Sequence, residues 1–178
     1  MKRSLQEVIR DVCKSTAKEL SNLKVDEINF QFGDSVYINT KLIEMAQIQM
    51  NRFPLIGLFP FEEHIGISGI KCEAELDLII ACQTVGGYDN WQRHDISFNG
   101  FLRIIYDEFM RQLKQCTELD FGNAGEIEHI YKENYAYGSR GVMDSEKRDL
   151  PELIDAIEIK NMKVKLKSMC YGTSERVW

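Results

Sequence analysis

Apolar positions at the start of the chain recur at spacings of three and four: Leu5, Val8, Ile9, Val12, Cys13, Ala17 and Leu20, with Thr16 in phase. That period predicts an amphipathic helix over 5–22. Ser4 with Glu7 three residues on forms a capping box at its start. The period then changes to two. Ile28, Phe30 and Phe32 alternate with polar residues, and Val36 and Ile38 alternate again beyond Gly33-Asp34. The pattern predicts two short strands around a tight turn. Leu42, Ile43, Ala46 and Met50 predict a short helix over 41–51, which Pro54 stops.

A dense apolar run over 55–61 predicts a strand, and 62–69 reads as a loop or hairpin tip broken by Gly66 and Gly69. The clearest strand covers 71–85. One face carries Cys72, Ala74, Leu76, Leu78, Ile80 and Cys82; the other begins with Glu73, Glu75 and Asp77 and turns apolar at Ile79 and Ala81. It should start half exposed and end buried on both sides. A polar loop over 86–95 holds Trp91, and Asp95 or Ser97 can cap the helix that follows. Phe98, Phe101, Leu102, Ile105, Tyr106, Phe109, Met110, Leu113 and Cys116 make that helix, over 98–116, the main core element, packed on the long strand. A strand over 127–137 comes next. The stretch 138–154 has little periodicity, holds at most a single turn near Pro151, and reads as an extended arm. Ile157 and Ile159 alternate out of register with Met162, Val164 and Leu166, so Lys160-Asn161 marks a bulge in a closing strand. The tail 171–178 reads as flexible. The predicted fold class is α+β: an antiparallel or mixed sheet packed by an N-terminal helix and a central amphipathic helix, in one domain over 1–178.

Composition narrows the function classes. The chain has 178 residues and a net charge of -6, which leaves no basic footprint for general nucleic-acid binding. Five cysteines without CxxC spacing make neither a disulfide framework nor a zinc site; they read as small buried hydrophobes of an intracellular protein. Lys2 and Arg3 precede no apolar segment, so the N-terminus does not read as a signal peptide. The longest apolar run falls far short of the roughly 20 residues a membrane span needs.

Candidate chemistry is sparse. Glu62, Glu63 and His64 are adjacent, point different ways and find no second ligand cluster, so they read as a solvated tip. His94 beside Asp95 lacks a Ser or Cys in a nucleophile motif. Gly86-Gly87 lacks the remainder of a phosphate loop. Glu73 and Glu75 share a strand face without a pocket, and His129 has no evident role. No catalytic residue, metal ligand or cofactor is assigned, and the chain reads as an assembly protein. A nuclease or hydrolase built around His64, His94 and nearby acids is the third reading. Lys163, Lys165 and Lys167 line one strand face over roughly 13 Å and are candidates either to face DNA or to form ion pairs with Glu73, Glu75 and Asp77. Trp91 and Trp178 are candidate contact residues, because exposed tryptophan is enriched at interfaces.

The element order runs helix, strand pair, short helix, the strand in Pro54-Leu-Ile-Gly-Leu-Phe-Pro60, the strand in Glu75-Leu-Asp-Leu-Ile-Ile-Ala-Cys82, the helix from Phe98, an excursion, and the strand in Asp155-Ala-Ile-Glu-Ile-Lys160. It resembles the small tail-completion and tail-terminator proteins of tailed bacteriophages, as does the loop around Trp91, Arg93, Ser97 and Phe98. The resemblance covers about residues 29–170. It implies a structural virion protein made in the bacterial cytoplasm, assembled as a ring of six or twelve copies in the neck or tail. DNA would pass through that ring with only non-specific contact, between neighbouring head or tail proteins and away from any membrane. It implies no catalytic residues. Ser139, Arg140, Met143 and Asp144 of the arm, with Trp91 and Trp178, are the subunit contacts this reading suggests. A non-catalytic adaptor of a phage or mobile element is the alternative.

Overall fold

In the computed structural model, which describes residues 3–23, 25, 27–65, 72–121, 126–137 and 153–167, the N-terminal period becomes helix α1, Leu5–Glu19. The capping box forms. The Glu7 amide donates to Ser4 Oγ at 3.3 Å, and the Ser4 amide donates to the Glu7 carboxylate at 2.8 Å. The apolar stripe from Leu5 to Ala17 is buried.

Strand β1, Asn29–Phe32, follows. The expected partner strand at Val36–Ile38 is absent, because that stretch opens helix α2, Ser35–Gln47. Asp34 is the reason: its carboxylate accepts the Tyr37 amide at 2.7 Å and so starts a helix. Ile38, Leu42 and Ile43 then fall together on the buried side, which alternation at Val36 and Ile38 alone conceals. Gly33, at φ 154, makes the turn, and a Cβ there would lie 2.5 Å from the Tyr37 ring.

The remaining strands are β2, Leu55–Leu58; β3, Glu63–Ile65; β4, Cys72–Gln83; β5, Leu119–Asp120; β6, Ile130–Tyr137; and β7, Ile154–Leu166. They form one seven-stranded sheet in the order β1-β2-β4-β7-β5, with β3 also on β4 and β6 also on β7. The β1–β2 pair is parallel and the others are antiparallel. The expected tip at 62–69 therefore begins as a strand paired with β4, and the strand expected over 55–61 ends at Leu58. Ile154, expected in the arm, is instead the buried first residue of β7. Residues 138–152 of the expected arm, with Ser139, Arg140, Met143 and Asp144, lie outside the described residues, as does the tail with Trp178.

Between β4 and β5 the chain is helical from Asn90 to Gln115 in three stretches: α3, Asn90–Arg93; a π-helical stretch, His94–Leu102; and α4, Arg103–Gln115. The expected loop over 86–95 is thus shorter, and neither Asp95 nor Ser97 is the cap. Asp89 caps the helix in a box with Gln92, accepting the Gln92 amide at 2.8 Å.

The sheet separates two packed layers, and the fold is α+β. Helix α1, the π-helical stretch and α4 cover one face, burying Leu76, Leu78 and Ile80 of β4 with Ile157, Ile159 and Met162 of β7. Helix α2 covers part of the other, over Leu55, Ile79, Ala81 and Ala156. Its close approach depends on Gly57, where a Cβ would stand 2.9 Å from Ile79 Cγ1 and 3.2 Å from Ile38 Cδ1. The expected bulge in β7 is present. The register with β4 shifts between Leu76 and Leu78. Asn161 takes φ 54, and its amide donates to Asp77 Oδ1 at 2.8 Å. Asn is among the few side chains that visit this region readily.

Candidate functional site

The densest chemistry lies where the π-helical stretch meets β6 and β7. Arg93 ends α3 and points into the protein, where its guanidinium pairs with both carboxylate oxygens of Asp155. Asp155 is fully buried and Arg93 nearly so. The Tyr135 ring lies 5.9 Å from the guanidinium carbon, and the Phe98 ring packs on Tyr135 at 4.4 Å. Ser97 and Thr84 share a buried hydroxyl hydrogen bond of 3.2 Å. Burial, helped by the Asp155 charge, pushes the neighbouring Cys82 thiol up to about 12. A thiol held in that form is a poor nucleophile.

A second, more open row runs along the outer side of the helix. His94, Asn99 and Arg103 stand five and four residues apart. On an α-helix, His94 and Asn99 would sit about 140° apart. The π winding, which bonds i to i+5, stacks them instead. Arg103 donates to His94 Nε2 at 3.3 Å and also donates to Asn99 Oδ1. A guanidinium only donates, so Nε2 is the accepting nitrogen. The other ring nitrogen, as Nδ1–H, donates to Asp95 at 3.1 Å.

Arg103 reaches across to β6, where Glu133 accepts its Nε–H at 2.7 Å together with the Tyr131 hydroxyl at 2.7 Å. Burial works against the Glu133 charge, but these donors win and hold its carboxyl below the usual range. Tyr131 meets Tyr106 edge-on at 5.0 Å. The Tyr106 hydroxyl donates to His129 Nε2 at 2.7 Å, and His129 Nδ1–H donates to the Ile127 carbonyl at 2.7 Å. His129 therefore ties the strand approach to α4. At the far end Trp91 stands 75% exposed, edge-on to His94 at 5.9 Å. The result is a stripe of Trp, His, Asn, Arg and Tyr over one helix and one strand.

The lysine row has a different character. Lys165 pairs with Glu73 at 2.7 Å and Lys163 with Glu128 at 3.1 Å, while Lys163 also stands opposite Glu75 in the β4–β7 register. Lys167 is exposed beyond the end of β7. Asp77 serves the bulge. Of the two roles considered for this row, ion pairing describes Lys163 and Lys165. His64, on β3, is exposed opposite Glu73. Among the described residues no group of His, Cys, Asp or Glu is arranged to hold a metal ion, and no helix is long and apolar enough to cross a membrane.

On the same face Glu158 of β7 is nearly buried and accepts from Asn134 at 2.9 Å, with Lys160 at 3.0 Å and Lys132 at 3.3 Å. Burial raises its pKa, but those three partners outweigh it and the net shift is downward. A depressed folded value means stability that is present above the unfolded carboxylate value and lost as pH falls through the folded one. Glu133 and Glu158 should both contribute to such an acid limb. Urea midpoints taken from about pH 6 to about pH 3 should fall, and Glu158→Gln should flatten part of that fall. An acid limb unchanged in Glu158→Gln would show that its partners give the carboxylate no net preference.

Sequence reading singled out Trp91, His94 and Asp95 but missed Asn99, Arg103, Tyr131, Glu133 and the Arg93–Asp155 pair. The one available signal was Asp155, a lone acid within the apolar run Leu153-Ile-Asp-Ala-Ile157. No protein-family model matches the chain, and neither curated proteins nor solved structures show a significant match to it.

Proposed function

We propose that this chain is a structural virion protein that assembles as a ring in the neck or tail of a tailed phage, with no catalytic role of its own. The observation that carries the reading is the stripe from Trp91 to Tyr131. It places an exposed tryptophan, a tyrosine and an arginine on one surface, braced from behind by the buried Arg93–Asp155 pair and by Glu133. Trp, Tyr and Arg are the residues that dominate binding energy at protein interfaces. Bracing them in advance lowers the ordering cost of association. Ile96 and Ile104 of the same helix are also exposed, at 51% and 38%, and extend the apolar area available to a neighbouring virion protein.

The sheet face that bears the lysines supports passage of DNA rather than its capture. Lys163 and Lys165 already answer carboxylates, and the chain as a whole is acidic. Phosphate binding needs uncompensated cations. The placement in a tail rests on the resemblance in element order, from which the structure departs in two places: helix α2 replaces the second strand of the expected pair, and the stretch around Trp91 is helical.

Light scattering after gel filtration, with negative-stain images, tests this. The expected result is a closed ring whose mass is six or twelve times the 20.7 kDa chain. A monomer at every concentration overturns the ring.

A further inference from the structure

Among the described residues four strands pair on one side alone, β1 with β2, β3 with β4, and β5 and β6 with β7; β1 and β6 are the longest of these on the two opposite sides of the sheet. Such edges are templates for further pairing. We infer that successive copies of this chain join edge to edge, β6 of one beside β1 of the next, so that the sheet runs on around the ring. This rests on the ring reading above and specifies how the ring is built.

Strand direction agrees with it. β1 runs with β2, β2 against β4, β4 against β7, and β7 against β6. β6 therefore runs opposite to β1. Copies related by rotation about an axis along the strands keep their directions, so β6 and the next β1 meet as an antiparallel pair. The contact is head to tail, the kind that closes a ring when the rotation closes.

The side chains agree as well. Ile130 and Lys132 of β6 lie opposite Lys160 and Glu158, which puts them on the α2 side of the sheet. Asn29 and Gln31 of β1 lie opposite Leu55 and Gly57, on the same side. There, beside β1, Ile48, Met45, Met50 and Phe53 line a groove together with Glu27, Glu44 and Lys41. Ile130 is 55% exposed at one edge, and Ile48 and Met50 are 66% and 54% exposed at the other. Continuing the sheet carries Ile130 toward that groove. Charge matches too. At the β6 edge one carboxylate, Glu158, stands between two ammonium groups, Lys132 and Lys160. At the groove two carboxylates, Glu27 and Glu44, stand with the ammonium of Lys41, and the Arg52 guanidinium lies 5.9 Å from the ring of Phe53, which lines it. The positive surplus on the β6 edge opposes the pairing of two β6 edges, whereas the groove offers carboxylates to Lys132 and Lys160.

The test uses two full-length variants, each blocked at one edge: Ile130→Glu at β6, and Ile48→Glu with Met50→Glu at the groove. All three positions are exposed, and circular dichroism melts check that both variants fold. The wild type should form the ring. Each variant alone should run as a monomer by light scattering, and a one-to-one mixture should give a heterodimer, because one intact β6 edge then meets one intact β1 edge. Amide exchange supplies an independent readout: Asn29–Phe32 and Ile130–Tyr137 should exchange more slowly in the wild-type ring than in either monomer. A ring that persists in either variant, or a mixture that stays monomeric, overturns edge pairing. The first of these outcomes leaves the ring itself standing. A monomeric wild type overturns both.

Discussion

Asp155→Ala is expected to destabilise the fold by about 3–5 kcal/mol, the range for removing one partner of a buried ion pair. The loss does not measure the attraction between the two groups. It arises because the Arg93 guanidinium stays behind, 7% exposed, with neither carboxylate nor enough water around it. The π-system of Tyr135, 5.9 Å away, offsets only part of that. It follows that removing both charges should be much milder. In Arg93→Met with Asp155→Leu, two apolar side chains fill the volume, and most of the lost stability should return. Urea unfolding of the wild type, both single variants and the double variant gives the comparison. If Asp155→Ala loses less than about 1 kcal/mol, the pair behaves like a surface salt bridge and the bracing assigned to it fails.

That pair also shows where sequence reading stops. Arg93 and Asp155 are 62 residues apart, and nothing local in either neighbourhood names the other. Features encoded within one turn or one strand were readable. The capping box at Ser4 and the burial change along β4 are examples, and so is the bulge at Lys160-Asn161; each depends on neighbours a few residues away. The failure at Val36–Ile38 is of another kind. Two apolar residues two apart satisfy a strand pattern, yet the Asp34 cap and the later positions Leu42 and Ile43 select a helix. The cap at Asp89 with Gln92 was equally legible, and the apolar stripe that starts at Phe98 drew the boundary too late. Of the proposed contact stripe only Trp91 and His94 stood out in the sequence, and their alignment with Asn99 and Arg103 could not be read, because a period of 3.6 places His94 and Asn99 on different sides of a helix. Only the observed π winding aligns them.

What holds that winding leads to the second large effect, Phe98→Ala. Phe98 is fully buried in the π-helical stretch and stacks on Tyr135 at 4.4 Å. It sits five residues after Arg93, and both residues reach the same tyrosine. An α-helix would turn one of them about 140° away. The two anchors thus lock the helix into the i to i+5 register that lines up His94, Asn99 and Arg103. Truncating a buried phenylalanine typically costs about 3–5 kcal/mol. Phe109→Ala is the control: Phe109 is equally buried but lies in α4, beyond the π-helical stretch. Both variants should lose similar global stability by urea unfolding. Phe98→Ala alone should also speed amide exchange across His94–Leu102 under native conditions, because it frees one of the two anchors that impose the winding. Equal exchange in the two variants would show that the winding is intrinsic to the segment and that Phe98 contributes only its volume to the core.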